Sequence, residues 1–179
     1  MFAITNPINN LMTMNDYFHD RLRFLKKLHK DILHEKNVKV KSINGIFNRY
    51  ENPVLTAVHA PLEWRFDLDP HSNPFLLERF GINAVFNSGA IKFNDKYLLV
   101  ARVEGADRKS FFAVAESDNG IDHFTFWNSP VVIPPSADPE TNIYDMRLVQ
   151  HQDGWTYGVF CTERRDPLAP ESDQSSAIA

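Results

Sequence analysis

From Val85 to Thr162 the chain is a series of short runs in which apolar and polar residues alternate, each closed by a tight-turn signal. This pattern leaves few folds open. Alternation with a period of two is that of a strand with one buried face. Turns of two to four residues can join only antiparallel neighbours. Val85 to Phe93 reads as one strand, Asn94-Asp95 as a turn, and Tyr97 to Val103 as the returning strand. Ser110 to Glu116 follows, then a turn at Ser117-Asp118-Asn119-Gly120 and a fourth short strand at Phe124 to Trp127. Four such strands make one meander sheet, the size of a propeller blade. A second unit starts with Asp145 to Gln150, turns at Gln152-Asp153-Gly154 and returns through Trp155 to Thr162. Ser175 to Ala179 reads as a third strand just beginning. No repeat is visible in residue identities, but the strand spacing suggests successive blades. A sheet stopped at its third strand exposes an unpaired edge. The expectation is therefore an all-β chain that is the N-terminal portion of a longer protein.

The segment ahead of the strands has a different period. Phe18, Leu22, Leu25, Leu28, Ile32 and Leu33 recur at helical spacing, which predicts an amphipathic helix from Asn15 to about Lys36. Asn15 or Asp16 can cap it. Its other face carries Arg23, Lys26, Lys27, Lys30 and Lys36, either a solvated face or a basic docking surface. Met1 to Thr13 has no charge and little periodicity and reads as disordered or as a non-native start. Asn44-Gly45 is a turn signal, Asn52 to Leu55 reads as extended, and Trp64 to Leu68 alternates up to Asp69-Pro70. Phe75 to Phe80 reads as a helical turn closed by Gly81. The expected division is residues 1–13, a helix over 14–37, and a β domain over 38–179.

Composition narrows the function. A length of 179 residues with 43% hydrophobic and 23% charged side chains suits one ordinary globular domain. A net charge of -4 argues against a nucleic-acid partner. No apolar run approaches the roughly 20 residues of a membrane span. The N-terminus lacks the features of a signal peptide, which makes the cytoplasm the expected compartment. The single cysteine, Cys161, excludes an intrachain disulfide and reads as a buried structural thiol. The seven histidines show no metal-binding spacing, and no Gly-rich phosphate loop or nucleophile elbow is present. No cofactor or metal is expected.

Four polar stretches remain as candidate sites, each with a plainer reading beside it. Asn87-Ser88-Gly89-Ala90 fits a pocket lining where glycine allows close approach, or a strand-end bulge. Arg102 to Ser110 packs Arg102, Glu104, Asp107, Arg108 and Lys109 between two apolar strands, as sugar-binding groups or as a solvated hairpin loop. Asp145 and Arg147 sit two apart at a strand entry, where both side chains would face one pocket. A carboxyl group there can act as a general acid when its surroundings keep it protonated; the plain reading is a surface ion pair. Glu163-Arg164-Arg165-Asp166 could bind phosphate or be a charged loop.

Taken in order, these stretches resemble one family. Trp64-Arg65-Phe66-Asp67-Leu68, Asn73-Pro74-Phe75, Asn87-Ser88-Gly89-Ala90-Ile91-Lys92 and Arg102 through Ser117 carry the resemblance first. Asn142-Ile143-Tyr144-Asp145-Met146-Arg147-Leu148 and Gly158 through Arg164 continue it. The chain resembles the inverting β-mannoside phosphorylases of glycoside hydrolase family 130, from about Asp16 to its end. The resemblance implies a five-bladed β-propeller, of which this chain would hold the N-terminal helix and about one and a half blades. It implies Asp145 as catalytic acid, Asn87, Ser88, Arg102 and Arg108 as mannosyl-binding residues, and Arg164 near phosphate. The implied reaction is phosphate-dependent cleavage of 4-O-β-D-mannosyl-D-glucose to α-D-mannose 1-phosphate and D-glucose, with inorganic phosphate as co-substrate. A phosphorylase needs one carboxylic acid where an inverting hydrolase needs two carboxylates. The alternatives are a β-mannoside hydrolase of the same fold and a non-enzymatic, truncated sugar-binding chain. The amphipathic helix is an expected surface for homo-oligomer formation.

Overall fold

A computed structural model describes residues 13–43, 45–134, 140–165 and 176–178. The expected disordered start (residues 1–12) and most of the Pro-rich loop (135–139) lie outside the described residues. Helix α1 runs from Met14 to Leu33. Its cap is Thr13 rather than Asn15 or Asp16: Thr13 accepts from the Asp16 amide, and Asp16 accepts from the Thr13 amide in return. The Thr13 hydroxyl, and then the Thr13 amide, donating to Asp16 hold its carboxyl below its ordinary range. Phe18 is fully buried, and Leu22 and Leu25 pack beside it on Leu62, Phe66 and Leu76. Phe24 and Leu28 remain exposed, so the apolar stripe is only partly covered.

Two minimal strands, β1 (Lys39–Val40) and β2 (Arg49–Tyr50), pair antiparallel; Asn44 of the expected turn lies outside the described residues. A 3-10 turn at Ala57–His59 leads to the short helix α2, Leu62–Arg65. Trp64 to Leu68 alternates in sequence, but Pro61 starts a helical turn there, and Phe66 makes a strand-like bridge to Glu78. The helical turn expected at Phe75 to Phe80 is also absent. Buried Asn73 takes over that segment, accepting from the Leu77 amide and donating to the Asp67 and Leu77 carbonyls.

The first large sheet is an antiparallel meander of β3 (Ile82–Phe93), β4 (Lys96–Gly105), β5 (Ser110–Ser117) and β6 (Thr125–Phe126). The second orders β7 (Glu140–Gln150), β8 (Thr156–Arg165) and β9 (Ser176–Ile178), again antiparallel. The strand expected at the C-terminus is therefore present, paired on β8. β7 begins five residues before Asp145, which places Asp145 in mid-strand rather than at a strand entry.

Each face of the first sheet is covered by a different partner. One face carries Ala101, Val103, Ala113 and Ala115, which cluster with Phe124, Phe126 and Leu55, while Val54 and Trp64 close over them. The opposite face meets the second sheet. A Cβ on Gly89 would lie 3.0 Å from the Leu148 side chain and the Met146 carbonyl, and fully buried Phe112 meets Phe160 edge to face at 5.4 Å. Gly89 is thus required by a close approach of β7. Among the described residues the second sheet is covered only on that side. Val149, Tyr157 and Val159, from register-paired positions of its other face, are 58%, 49% and 70% exposed.

The two sheets begin with the same irregular hairpin. β3 has register breaks against β4 between Ile82 and Ala84 and between Phe86 and Gly89. β7 has them against β8 between Glu140 and Asn142 and between Tyr144 and Arg147. Adding 58 to each of these β3 numbers gives the β7 position, and adding 59 to their β4 partners (105, 104, 102 and 100) gives the β8 partners. The repeat that residue identities did not reveal is one of backbone register.

Candidate functional site

The second bulge of each hairpin holds one Asx residue in the left-handed region: Asn87 at φ +48° and Asp145 at φ +62°. Asn and Asp tolerate this conformation best among side chains with a Cβ, because their short polar groups bond locally. A bulge also takes its extra residue out of the in-and-out alternation of the strand. Each Asx follows an aromatic residue, Phe86 or Tyr144. Because β7 packs directly on Gly89, the two bulges meet. Asn87 Nδ2 donates to Asp145 Oδ1 at 2.7 Å, joining residues 58 apart in the chain.

Arg102 lies across the ladder from Phe86. Its Nε donates to Ser110 Oγ and its Nη2 to Glu104 Oε2, both at 2.9 Å. Its guanidinium carbon is 4.6 Å from the centre of the Phe86 ring and 5.0 Å from that of Tyr144. Glu104 is 7% exposed, and a buried carboxylate needs such partners. Its other oxygen accepts from Asn83 Nδ2 at 2.7 Å and lies 3.9 Å from Arg108 Nη1. Arg108 itself is exposed, at φ +67° in the β4–β5 turn. That turn is laced to β7 by Asn142, whose Oδ1 accepts from the Ser110 amide at 2.9 Å and whose Nδ2 donates to the Arg108 carbonyl at 3.2 Å. Burial, and then a hydrogen bond to the Glu163 carboxylate, pushes the Tyr144 hydroxyl above its ordinary value of 10.0.

The structure therefore joins Asn87 to Asp145 and places Arg102 and Arg108 around Glu104 beside them. Ser88 follows Asn87 in the same bulge and is half-buried. Arg164 lies further along β8, where its Nη2 donates to Glu140 Oε1 at 3.4 Å. The expected facing of Asp145 and Arg147 does not occur. Asp145 lies inside the bulge, out of the alternation that Arg147 follows, and Arg147 is exposed with Nη1 donating to the Met146 carbonyl at 2.8 Å. Cys161 is half-buried rather than buried. Sequence reasoning passed over Asn83, Phe86 and the links made by Glu104 and Asn142. The signal that could have found Phe86 is the aromatic–Asx pair repeated at Phe86-Asn87 and Tyr144-Asp145.

The site is built from a carboxyl group held by an amide and from the Arg102 guanidinium, fixed by a buried carboxylate and two aromatic rings, with the exposed Arg108 at its margin. Such an arrangement suits proton transfer to a polar, uncharged ligand whose hydroxyl groups the Arg and Asn side chains can bind. Among the described residues no group of His, Cys, Asp and Glu is arranged to hold a metal ion. No helix of the described residues is long and apolar enough to cross a membrane.

No protein-family model matches the chain. A solved structure, described as from the GH130 family of mannoside phosphorylases containing glycoside hydrolases that target beta-1,2 mannosidic linkages in Candida mannan, aligns with a TM-score of 0.45 and 21% identity, covering 81% of this chain and 38% of that one. The 4-O-beta-D-mannosyl-D-glucose phosphorylase of Bacteroides fragilis is 57% identical over 162 residues. That match takes in 90% of this chain and 42% of the relative, so the chain spans less than half of the relative's length. A match of 162 residues within 179 takes in Asn87 through Asp145, so the chain is similar to that phosphorylase across the stretch in which the two bulges meet.

Proposed function

We propose that this chain supplies the mannosyl-binding and acid-donating part of an inverting, cytoplasmic β-mannoside phosphorylase that cleaves 4-O-β-D-mannosyl-D-glucose to α-D-mannose 1-phosphate and D-glucose. The observation that carries the reading is the Asn87–Asp145 hydrogen bond, formed inside a chain 57% identical to a phosphorylase of that name. Asp145 is the general acid. Asn87 occupies its Oδ1, which leaves Oδ2 to hold the transferable proton. The proton reaches the glycosidic oxygen through the 3-hydroxyl of the mannosyl unit. Asn87, Ser88, Arg102 and Arg108 hold that unit, and Arg164 stands toward phosphate. Phosphate attacks the anomeric carbon from the opposite face, so no second carboxylate is needed to activate water. The reaction uses inorganic phosphate as co-substrate and no cofactor.

The architecture in this reading is part of a five-bladed propeller. The first sheet is one complete blade, the second is a blade begun, and the uncovered Val149–Tyr157–Val159 face is where a further blade stacks. The exposed side of α1 (Phe24, Leu28) is the proposed contact between copies. The test incubates the full-length protein with mannosyl-glucose, with and without phosphate, and follows mannose 1-phosphate and its anomer by NMR. Phosphate-dependent appearance of the α-anomer is expected. Mannose release that continues without phosphate would show a hydrolase instead, and absence of cleavage would favour a non-enzymatic sugar-binding chain.

A further inference from the structure

We propose that Phe86 and Tyr144 are positioning residues that act through Arg102, fixing the guanidinium against the sugar. This inference rests on the phosphorylase reading and goes beyond it, because neither ring has a role in that chemistry. The two residues occupy the same place in two sheets, each just before the bulge that carries Asn87 or Asp145. Their rings stand 4.6 and 5.0 Å from one guanidinium carbon. The Arg102 side chain is 15% exposed and is already bonded to Ser110 and Glu104. The hydrogen bonds fix it within the guanidinium plane, and ring contacts resist displacement of a cation that is weakly hydrated and polarisable. Because one ring belongs to each sheet, the guanidinium spans the seam that brings Asn87 to Asp145. A sugar bound to Arg102 is thereby registered against the acid. A side chain of similar volume without a π face would fill the seam and still leave the guanidinium less well fixed.

The experiment is a double-mutant cycle in the full-length protein. Phe86→Leu, Tyr144→Leu and Tyr144→Phe are made alone and in an Arg102→Ala background, with kcat and both KM values measured for mannosyl-glucose and phosphate. Each Leu variant is expected to lower kcat/KM for the mannoside about 10- to 100-fold, with KM for phosphate within threefold. Tyr144→Phe keeps the ring and restores mannoside kcat/KM to within about fivefold of the unmodified protein. In the Arg102→Ala background each Leu substitution costs less than threefold more. Melting temperatures identify any variant that fails to fold. In that case Phe86→Met and Tyr144→Met, which repack more readily, take its place. Equal losses in both backgrounds, or a phosphate KM that rises with the mannoside KM, would show the rings to be ordinary packing and overturn the inference. If the unmodified protein cleaves no mannosyl-glucose with phosphate, the functional reading fails and the inference falls with it. If it does and the ring variants do not couple to Arg102, only the inference fails.

Discussion

The first and second sheets share a backbone and differ in what they do with it. Both open with a hairpin bulged at the same two places, and both hold an Asx residue with positive φ in the second bulge. In the first sheet that residue is the neutral amide Asn87, and in the second it is the carboxyl Asp145. The cross-strand position behind the bulge is Arg102 in one and Cys161 in the other. Glu104 and Glu163 are again equivalent, yet Glu104 holds a guanidinium and Glu163 a tyrosine hydroxyl. Among the described residues the first sheet has both faces covered, the second only one. A repeated backbone thus makes a non-repeated site: the bulge brings a short polar side chain to the seam, an amide in one sheet and a carboxyl in the other.

The sharpest way to break the comparison is to exchange the chemistry of the two bulges. Asp145→Asn is expected to lower phosphorolysis by the full-length protein by at least about 1,000-fold with the fold intact, because an amide cannot supply the proton. Asn87→Ser removes the amide donor but keeps an oxygen, and is expected to cost about 10- to 100-fold. Equal losses at the two positions would mean that the bulges are functionally alike.

The covered and uncovered faces give the next test. Gly89 and Arg147 are equivalent in register. Gly89→Val is expected to destabilise by about 1–3 kcal/mol in chemical denaturation, since its side chain would meet Leu148 and the Met146 backbone. Arg147→Val lies on the uncovered face and is expected to change stability by less than about 0.5 kcal/mol in this chain. A related contrast concerns association. Val159→Ser is expected to reduce self-association of the 179-residue chain, read by light scattering, with little change in melting. Aggregation that is unchanged would place the sticky surface elsewhere.

The smallest effect concerns the N-terminal cover of the first sheet. Burial, followed by the charge of nearby His29, holds His59 below its ordinary 6.5. Its Nδ1 accepts from the Thr56 amide at 3.1 Å, which favours the neutral ring. The unfolded chain takes up this proton near pH 6.5 while the folded chain resists it, so the contribution is complete above that pH and lost as pH falls below it. The melting temperature should drop between pH 7.5 and 5.5, and His59→Asn should flatten that slope.

The residues themselves determined the elements. Period-two alternation located β3, β4, β5 and β8, turn residues located the hairpins, and the spacing from Phe18 to Leu33 located α1. The candidate residues Asn87, Arg102, Arg108 and Asp145 were also legible, through an ordered resemblance rather than through pattern alone. Strand periodicity failed where the backbone leaves the regular ladder. It paired Asp145 with Arg147, because alternation counts every residue and a bulge adds one that the partner strand does not match. It began the strand at Asp145 for the same reason, since the irregular half of β7 looks like loop. Trp64 to Leu68 misled it because a local helical turn after Pro61 won over alternation.

What only the tertiary structure decided is the meeting of the two bulges. The Asn87–Asp145 bond joins residues 58 apart, and no local preference of either segment specifies it. It depends on Gly89 admitting β7 and on Phe112 seating Phe160, which set the distance between the sheets. Sequence sets which side chains are available at each bulge. The packing of one sheet face on the other sets which of them touch, because side-chain contact across a seam is fixed by the geometry of burial and not by position along the chain.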